Sequence, residues 1–465
     1  MAKIDLSEKL KISSNDMSDL SEMKIPLVWM LSSVFIVSAI SWGLTSLMTE
    51  LVLHSNHYLF SAMDNLQLFS PGNLLFLCVI VGFACIRAFL YQFTWFQDAC
   101  GDGTSRAIAY FQLTYQQKVS TATIFRDTYS VGNFFVALKR ILVTIMTLGA
   151  GGSGGLEGPA IPIGESLGSG VAKLFHVRDI VWLRILQMCG ISAAVTTLLH
   201  APLTGAIFAL ELVFGCKFVY RILTYSFLAS LIAFILSNHL LEAHALFSVP
   251  AHAIKYSLYE YILVIVVTVF ASIPSGVGLL VIFHIIRRLF SHLPVVSHAP
   301  LGALICALTA ISMWLYFDIH PSHILGVGEE TISLLFSDHP NDPLLLQWHI
   351  LFAIVVLKIF LTGFTIISGG SAGLLVPAVF VGALSSSGLF FLFSDLQLLP
   401  LIDGLHHLFM VTGVASSLIC VMDLPIATVL FVGELFGISF IAPCIVAVGI
   451  SRTLAKVIKD TLPKN

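Results

Sequence analysis

Charged side chains are scarce in this sequence. Asp, Glu, Lys and Arg make up only 11% of the 465 residues, and 57% of the residues are hydrophobic. Soluble domains carry about 25% charged residues, so the composition excludes an ordinary water-soluble domain. The formal net charge is −3. Because a nucleic-acid-binding protein needs an excess of positive charge, we expect no nucleic-acid partner.

Metal-binding spacings are also missing. The eight cysteines are scattered, mostly within apolar stretches, and none forms a CxxC pair. Such cysteines are typical of small core residues and not of a zinc site or a disulfide framework. The sixteen histidines show no HxxxH spacing and are interpreted as loop and interface residues. We therefore expect neither a metal ion nor a bound cofactor.

Long apolar runs dominate what the chain does contain. Several exceed the roughly 20 residues that span a bilayer as a helix, and others are shorter or are interrupted by Gly and Pro. The alternation of polar and apolar residues that marks a transmembrane β-barrel is absent. The sequence predicts an all-α, multi-pass protein in a lipid bilayer. The runs are 27–53, 72–95, 141–148, 181–199, 202–215, 222–240, 258–287, 299–317, 346–367, 373–394, 406–421 and 424–450.

The two ends of the chain are polar. Residues 1–26 mix charges of both signs, so they do not form a cleaved signal peptide. Lysines precede the first apolar run, and Arg452 and Lys456 stand at the end of the last one, with further lysines in 456–465. By the positive-inside tendency, we expect both the N-terminal segment 1–26 and the tail 456–465 to be cytoplasmic.

The chain contains an internal repeat. The stretch 151–164 meets 369–382 at a shift of 218 positions with eight identities in fourteen and no gap. HAPLTGAIFALEL at 200–212 then parallels DLPIATVLFVGEL at 423–435. We therefore expect two homologous membrane halves, 27–240 and 257–455. Repeats with Gly- and Pro-broken apolar segments at matching places indicate a transport site near the middle of the membrane.

The glycine-rich stretch 149–166, GAGGSGGLEGPAIPIGES, has the features of a loop that leads into a helix. Irregular backbone is tolerated at membrane depth only beside protein or a water-filled cavity. Pro159 suits the first turn of a helix, where its missing N–H would be unpaired in any case. Two such helix starts, one from each repeat, would present N–H groups and positive dipole ends to an anion.

Glu157 favours the hypothesis of an anion site over that of simple helix packing. Small residues also let helices approach closely, but that role does not account for a carboxylate within the membrane, which is costly and indicates function. An ionised carboxylate at a helix N-terminus occupies the place of an anion, and a protonated one can leave. The pattern predicts that Glu157 is a gate.

These motifs resemble those of the CLC family of chloride channels and chloride–proton antiporters. GLEGP (155–159) resembles the family's Gly-Lys/Arg-Glu-Gly-Pro signature, HAPLTGAIFALE resembles the segment that follows it, and GGSAGLLVP, DLPIATVLFVGEL and GDGTSRAI (101–108) resemble three further motifs. The resemblance implies a homodimer in a bacterial inner membrane. It also implies one anion pathway per subunit, for chloride and similar anions as substrate, and antiparallel halves whose broken helices meet at the site.

Carried over residue by residue, the resemblance makes Glu157 the external gating glutamate. It assigns the anion-binding backbone of the first half to Gly155, Leu156 and Gly158. In the second half it assigns the backbone donors to Leu374, Leu375 and Val376.

The sequence departs from the family pattern at four places. Asp102 replaces a serine that touches the anion; Thr104 or Ser105 supplies the hydroxyl instead, or Asp102 is turned away or protonated. Leu375 replaces a phenylalanine, and Leu212 replaces the internal proton-transfer glutamate. The last helix, with the inner-gate tyrosine, is not evident after PCIVAVGISRTLAK.

These departures favour passive or weakly coupled, channel-like conduction, because a hydrocarbon side chain neither accepts nor donates a proton. Chloride–proton antiport is the alternative. It would need a different relay, for which Glu165 is the candidate; the other role for Glu165 is that of a buried hydrogen-bonding group.

An alternative hypothesis from another functional class is that the protein is an intramembrane serine hydrolase. Residues 151–155 spell Gly-x-Ser-x-Gly around Ser153, the pattern of a nucleophile elbow. The same pattern recurs at 369–373, where a one-site enzyme has no use for it. An elbow also requires a preceding strand, which the sequence does not predict. We therefore expect the protein not to be an enzyme.

Overall fold

A computed structural model describes residues 27–63, 70–114, 133–177, 179–215, 219–240, 256–337, 343–399 and 404–461. Within these ranges the regular structure is helical, with no strand and a single isolated bridge. The α-helices are α1 (Leu27–Ser61), α2 (Pro71–Leu90), α3 (Thr104–Leu113), α4 (Asn133–Thr144), α5 (Glu157–Leu174), α6 (Ile180–Leu199), α7 (Pro202–Phe214), α8 (Tyr220–Leu240), α9 (Leu258–Val267), α10 (Ile273–Phe290), α11 (Val295–Phe317), α12 (Glu329–Phe336), α13 (Trp348–Ile367), α14 (Leu375–Asp395), α15 (Leu405–Met422), α16 (Pro425–Leu435) and α17 (Ile441–Thr461).

The helices are those of a multi-pass membrane protein. Ten helical segments in the described part of the chain are long and apolar enough to cross a membrane, by length and composition. One of them joins α9 and α10 through a π-helical turn at Thr268–Ser272. The predicted all-α, membrane-embedded fold class is confirmed.

Packing divides the chain into two compact units. The first contains the described parts of Met1–Thr49, Asp102–Leu142 and Gly158–His244, and the second contains those of Glu50–Gly101, Val143–Glu157 and Ala245–Asn465. The units therefore do not follow the boundary between the sequence repeats, because two segments of the first half pack with the second.

In the first unit α6 is almost entirely buried, and it packs against α7 and α8. Glycine makes the contact between α5 and α6 possible. A Cβ on Gly164 would lie 2.3 Å from the carbonyl oxygen of Gly190, closer than any side chain allows. Asp179 begins α6 by accepting a hydrogen bond from the N–H of Val181, as an N-cap residue does.

In the second unit α14 and α15 form the buried centre. Gly382 plays the part that Gly164 plays in the first unit, since its Cβ would lie 2.4 Å from the carbonyl oxygen of Gly413. Gly382 stands 218 positions after Gly164. The sequence repeat is thus also a repeat of helix–helix contact.

The short helices α7 and α16 show the same correspondence. They have 13 and 11 residues, fewer than a helix needs to span a bilayer, and each begins with a proline. The residues that end the helices before them, His200 and Asp423, both adopt the left-handed conformation, with φ of 58° and 55°. Each half therefore contains a long buried helix, a sharp turn and then a helix that is too short to span a bilayer.

Candidate functional site

The two glycine-rich loops pair with each other. The N–H of Gly155 donates to the carbonyl of Gly373 at 3.0 Å, and the N–H of Gly373 donates to the carbonyl of Gly155 at 2.7 Å. Both residues are buried and belong to the second unit. The loops that the repeat predicts to meet do so, through a two-way backbone contact.

The hydrogen bonds around this pair are reciprocal. The N–H of Ser153 donates to Thr365 Oγ1 at 3.1 Å, and the N–H of Ser371 donates to Thr147 Oγ1 at 3.2 Å. Ser371 and Thr365 stand 218 positions after Ser153 and Thr147. Each loop is therefore held by the helix that precedes the other loop. Such mutual contacts between equivalent residues are those of a local two-fold arrangement.

The Ser153 hydroxyl is committed to structural partners. It shares a hydrogen bond with Thr362 Oγ1 at 3.0 Å and donates to the carbonyl of Ile324 at 3.4 Å. In the other repeat the hydroxyls of Ser371 and Thr144 make the matching bond at 2.9 Å. Ser153 is fully buried, and none of these partners is a histidine, the general base that a nucleophilic serine normally requires.

Glu157 is the first residue of α5, and its carboxylate lies at the start of α14. The N–H of Leu375 donates to Glu157 Oε1 at 2.6 Å, and Glu157 is only 2% exposed. The first N–H groups of a helix have no partner within it, and the helix dipole is positive there. The carboxylate therefore occupies the N-terminal end of a helix from the second repeat, where the free N–H groups and the dipole favour negative charge.

Gly155 makes room for this carboxylate. A Cβ on Gly155 would lie 2.1 Å from Glu157 Oε2 and 2.5 Å from Oε1. The Glu157 side chain is thus folded back over the loop that precedes it. A larger residue at 155 could not coexist with the carboxylate in this position.

The remaining predicted residues of the two loops flank this contact. Leu156 is buried, Gly158 is the second residue of α5, Leu374 immediately precedes α14, and Val376 follows Leu375 within it. Their role in binding an anion stays a prediction. The N–H of Gly155 itself is used in the pairing with Gly373.

Asp102, Thr104 and Ser105 belong to the first unit, unlike Glu157. Thr104 begins α3 with Ser105 next to it, and all three are partly exposed. Gly103, beside Asp102, has a φ of 78°, and its Cβ would lie 2.5 Å from the guanidinium of the buried Arg140. A full positive charge therefore lies against the loop that carries Asp102.

Glu165 lies in a buried hydrogen-bonded cluster of the first unit. Its Oε1 accepts from Gln187 Nε2 at 2.8 Å and from Ser169 Oγ at 3.0 Å, and the same Gln187 nitrogen donates to Ser169 at 2.8 Å. Glu165 is 1% exposed. The cluster connects α5 to α6 through polar groups that hydrogen-bond one another.

Two buried cations, Arg87 and Lys358, were not predicted from the sequence. Arg87 donates to Thr147 Oγ1, which supports the second loop, and Lys358 Nζ donates to the carbonyl of Gly326 at 2.9 Å. Gly326 in turn accepts from the N–H of Gly154 at 3.2 Å. Among the described residues neither cation is paired with a carboxylate. Each is a lone cation within an apolar run, and this pattern was the signal that could have identified them.

Comparison with known sequences agrees with these motifs. The profile of the family described as "Voltage gated chloride channel" matches residues 77–456. The voltage-gated ClC-type chloride channel ClcB of Escherichia coli O17:K52:H18 is 26% identical over 333 residues, which are 69% of this chain and 74% of ClcB. An uncharacterized protein of Methanocaldococcus jannaschii is 23% identical over 323 residues, with the same two shares.

Solved structures share the fold. A slow cyanobacterial Cl⁻/H⁺ antiporter matches with a TM-score of 0.73 and 17% identity, over 93% of this chain and 95% of its own. A CLC-type fluoride/proton antiporter matches with a TM-score of 0.71 and 19% identity, over 94% and 97%. The family resemblance of the motifs is confirmed. Since the family profile covers well over half of the sequence, the chain belongs to the voltage gated chloride channel (CLC) family.

Proposed function

We propose that Glu157 gates the anion transport carried out by this family, and that chloride and similar anions are the substrates. The observation that carries the proposal is the hydrogen bond from the Leu375 N–H to Glu157 Oε1 at the start of α14. An ionised carboxylate competes with an anion for the same N–H group and the same dipole. Protonation removes its charge, weakens this bond and frees the position.

The buried cations support an anionic substrate. Arg87 and Lys358 lie behind the two loops and reach them through Thr147 and Gly326. In these contacts neither cation donates to Glu157. The cations therefore supply positive charge to the loops from a distance. A direct ion pair with a transported anion would instead hold that anion too firmly for release. Backbone N–H groups then form the site itself.

We favour passive or weakly coupled conduction. Leu212 lies on α7, where the family has its internal proton-transfer glutamate, and Leu375 supplies an aliphatic side chain where the family has an aromatic one. A proton cannot be relayed by either side chain. An anion pathway with one titratable gate would therefore conduct without moving a fixed number of protons.

Chloride–proton exchange is the second candidate function, and the Glu165 cluster favours it. Glu165 follows Glu157 by eight residues on α5, about 12 Å along the helix axis. Glu165 is itself titratable, and the hydrogen bonds from Gln187 and Ser169 hold its carboxylate in place. The two similar solved structures are described as proton antiporters.

The setting of this activity is also a proposal. We place the chain in a bacterial inner membrane as a homodimer, with both termini cytoplasmic and one anion pathway per subunit. The ten apolar helical segments and the bacterial relatives support the membrane location.

Anion selectivity tests the substrate class. Purified protein in liposomes is expected to pass chloride, bromide and nitrate at rates within about tenfold of one another, because backbone N–H groups select charge and size more than shape. Ion-selective electrodes measure the release of each anion. Fluoride is expected to pass more slowly than chloride. Measurable potassium permeability would contradict an anion pathway.

Proton coupling separates the two candidate functions. With a chloride gradient imposed across proteoliposomes, a passive pathway leaves the internal pH unchanged, and a pH-sensitive dye reports it. Uphill proton movement at a fixed chloride-to-proton ratio would instead establish exchange. In that case Glu165→Gln is expected to abolish proton movement and keep chloride flux, and Glu434→Gln, a carboxylate on α16, serves as the matched control.

A further inference from the structure

A cavity in the second unit is lined on one side by a polar face of α1. Glu50, His54 and His57 are spaced four and three residues apart, so they lie on the same face of the helix. The cavity has a volume of about 580 Å³. The segment around α12 forms its other side and contributes His320, Glu329 and Glu330 to the lining.

This cavity has an excess of acceptors and negative charge. Three carboxylates line it, and no lysine or arginine is among its described lining residues. Burial, together with the nearby carboxylates of Glu330 and Glu50, raises the pKa of Glu329 to about 7. Like charges are therefore crowded here, and the nearby Lys358 donates to the carbonyls of Leu325 and Gly326 behind the lining.

Asn56 provides an independent indication of a ligand. It lines the same cavity and is 6% exposed, and its Oδ1 accepts no hydrogen bond from any residue the structure describes. A buried acceptor without a donor is costly, so the Oδ1 atom needs a donor beyond the residues that the structure describes. The carboxylates around it call for the same donor to be positively charged.

The spread of these groups limits what the donor can be. Among the described residues, no three His, Cys, Asp or Glu side chains lie close enough together to hold a metal ion directly. The volume falls within the range of small-molecule pockets, roughly 300–1,000 Å³. A bare, directly coordinated ion would contact too few of the acceptors.

We propose that this cavity binds a multivalent cation that presents its charge through N–H or O–H donors. An organic polyamine and a magnesium ion that keeps its water shell share this chemistry. Either would donate to Asn56 Oδ1 and to the carboxylates of Glu50 and Glu329 without requiring three ligands at one point.

Binding here has a route to the Glu157 loop, and this part of the inference depends on the proposed function. Leu325, Gly326 and Gly328 line the cavity. The carbonyl of Gly326 accepts hydrogen bonds from Gly154 at 3.2 Å and from Lys358 at 2.9 Å. A cation that moves this segment would also move Gly154, three residues before Glu157, and change anion flux.

Isothermal titration calorimetry on the purified full chain tests the site. Spermidine and magnesium chloride are titrated separately, with sodium chloride at equal ionic strength as the reference. Saturable binding is expected for at least one of them, weakened tenfold or more in Glu50→Gln and Glu329→Gln. Binding of spermidine alone identifies the organic source, and binding of magnesium alone the hydrated ion. Asp395→Asn, which removes an exposed carboxylate at the end of α14, is expected to bind as the wild type does.

Two results would overturn the site. One is the absence of saturable binding beyond the sodium response, and the other is equal binding by the wild type and Glu329→Gln. Flux with and without the bound cation then tests the route: a change of twofold or more in the wild type, lost in Glu329→Gln, supports it, and binding without any change in flux contradicts it. The calorimetry measures binding and not transport. If the proposed anion transport were wrong, the binding result could therefore still be interpreted.

Discussion

At neutral pH, Glu157→Ala is expected to pass chloride at least tenfold faster than the wild type and to lose the dependence of flux on pH. The Glu157 carboxylate accepts from the Leu375 N–H at the start of α14, and under the proposed function its ionised form blocks this position. A hydrogen bond to a charged group contributes about 1.5–3 kcal/mol, which corresponds to a factor of roughly 10–100 in occupancy. Glu157→Gln, a mimic of the protonated side chain, is expected to show the same flat pH profile.

Chloride efflux from proteoliposomes between pH 4.5 and 8 measures this effect. Wild-type chloride flux is expected to rise as the pH falls, because protonation removes the charge of the Glu157 carboxylate and weakens its bond to the Leu375 N–H. Glu434→Gln is the matched control, because it removes a half-buried carboxylate from α16 in the same unit, and it should keep the wild-type profile. A Glu157→Gln protein whose flux still followed pH as the wild type does would rule out this residue as the gate.

Gly155→Ala is expected to open the same pathway without changing the glutamate. The new Cβ would lie 2.1 Å from Glu157 Oε2, so the carboxylate must move away, and its bond to Leu375 is lost. The backbone of Gly155 lies outside the left-handed region, and the atoms that clash are the flexible end of a side chain. The variant should therefore fold and pass chloride at neutral pH at a rate within about threefold of Glu157→Ala.

A double-mutant cycle tests whether Gly155 acts through Glu157. If it does, Gly155→Ala adds nothing to Glu157→Ala, and the two effects are strongly non-additive, as expected for groups in contact. Gly278→Ala on α10 is the control, because no atom lies within 4 Å of its new Cβ. Additive effects on flux would mean that the methyl group acts on the pathway by some other means.

The glycine repeat was sufficient to predict two equivalent loops, one in each half of the chain, and to predict that each loop leads into a helix. The identities between 151–164 and 369–382 reflect backbone requirements, because only glycine permits the close approach of helix backbones at Gly164 and Gly382. These requirements are local and therefore visible in a single sequence. The proline-led short helices α7 and α16 were visible for the same reason.

The surroundings of the site were not predictable in this way. The histidines at 54, 57 and 320 were interpreted as loop and interface residues, yet they line one cavity with three glutamates. The sequence allowed Asp102 to be compared with a family serine. It did not show that the guanidinium of Arg140 lies against Gly103, the neighbour of Asp102. Each of these groupings joins residues that are distant in the chain, and no local pattern encodes their contact.

The sequence by itself determined the membrane setting, the two repeats and the identity of the buried acid, because composition, periodicity and backbone requirements are properties of neighbouring residues. Only the tertiary structure decided what that acid contacts. The bond from Leu375 to Glu157 joins residues 218 positions apart. The division into two compact units likewise crosses the repeat boundary. Such contacts arise when helices bury their faces against one another, and the choice of partner depends on the whole packed chain and not on any segment of it.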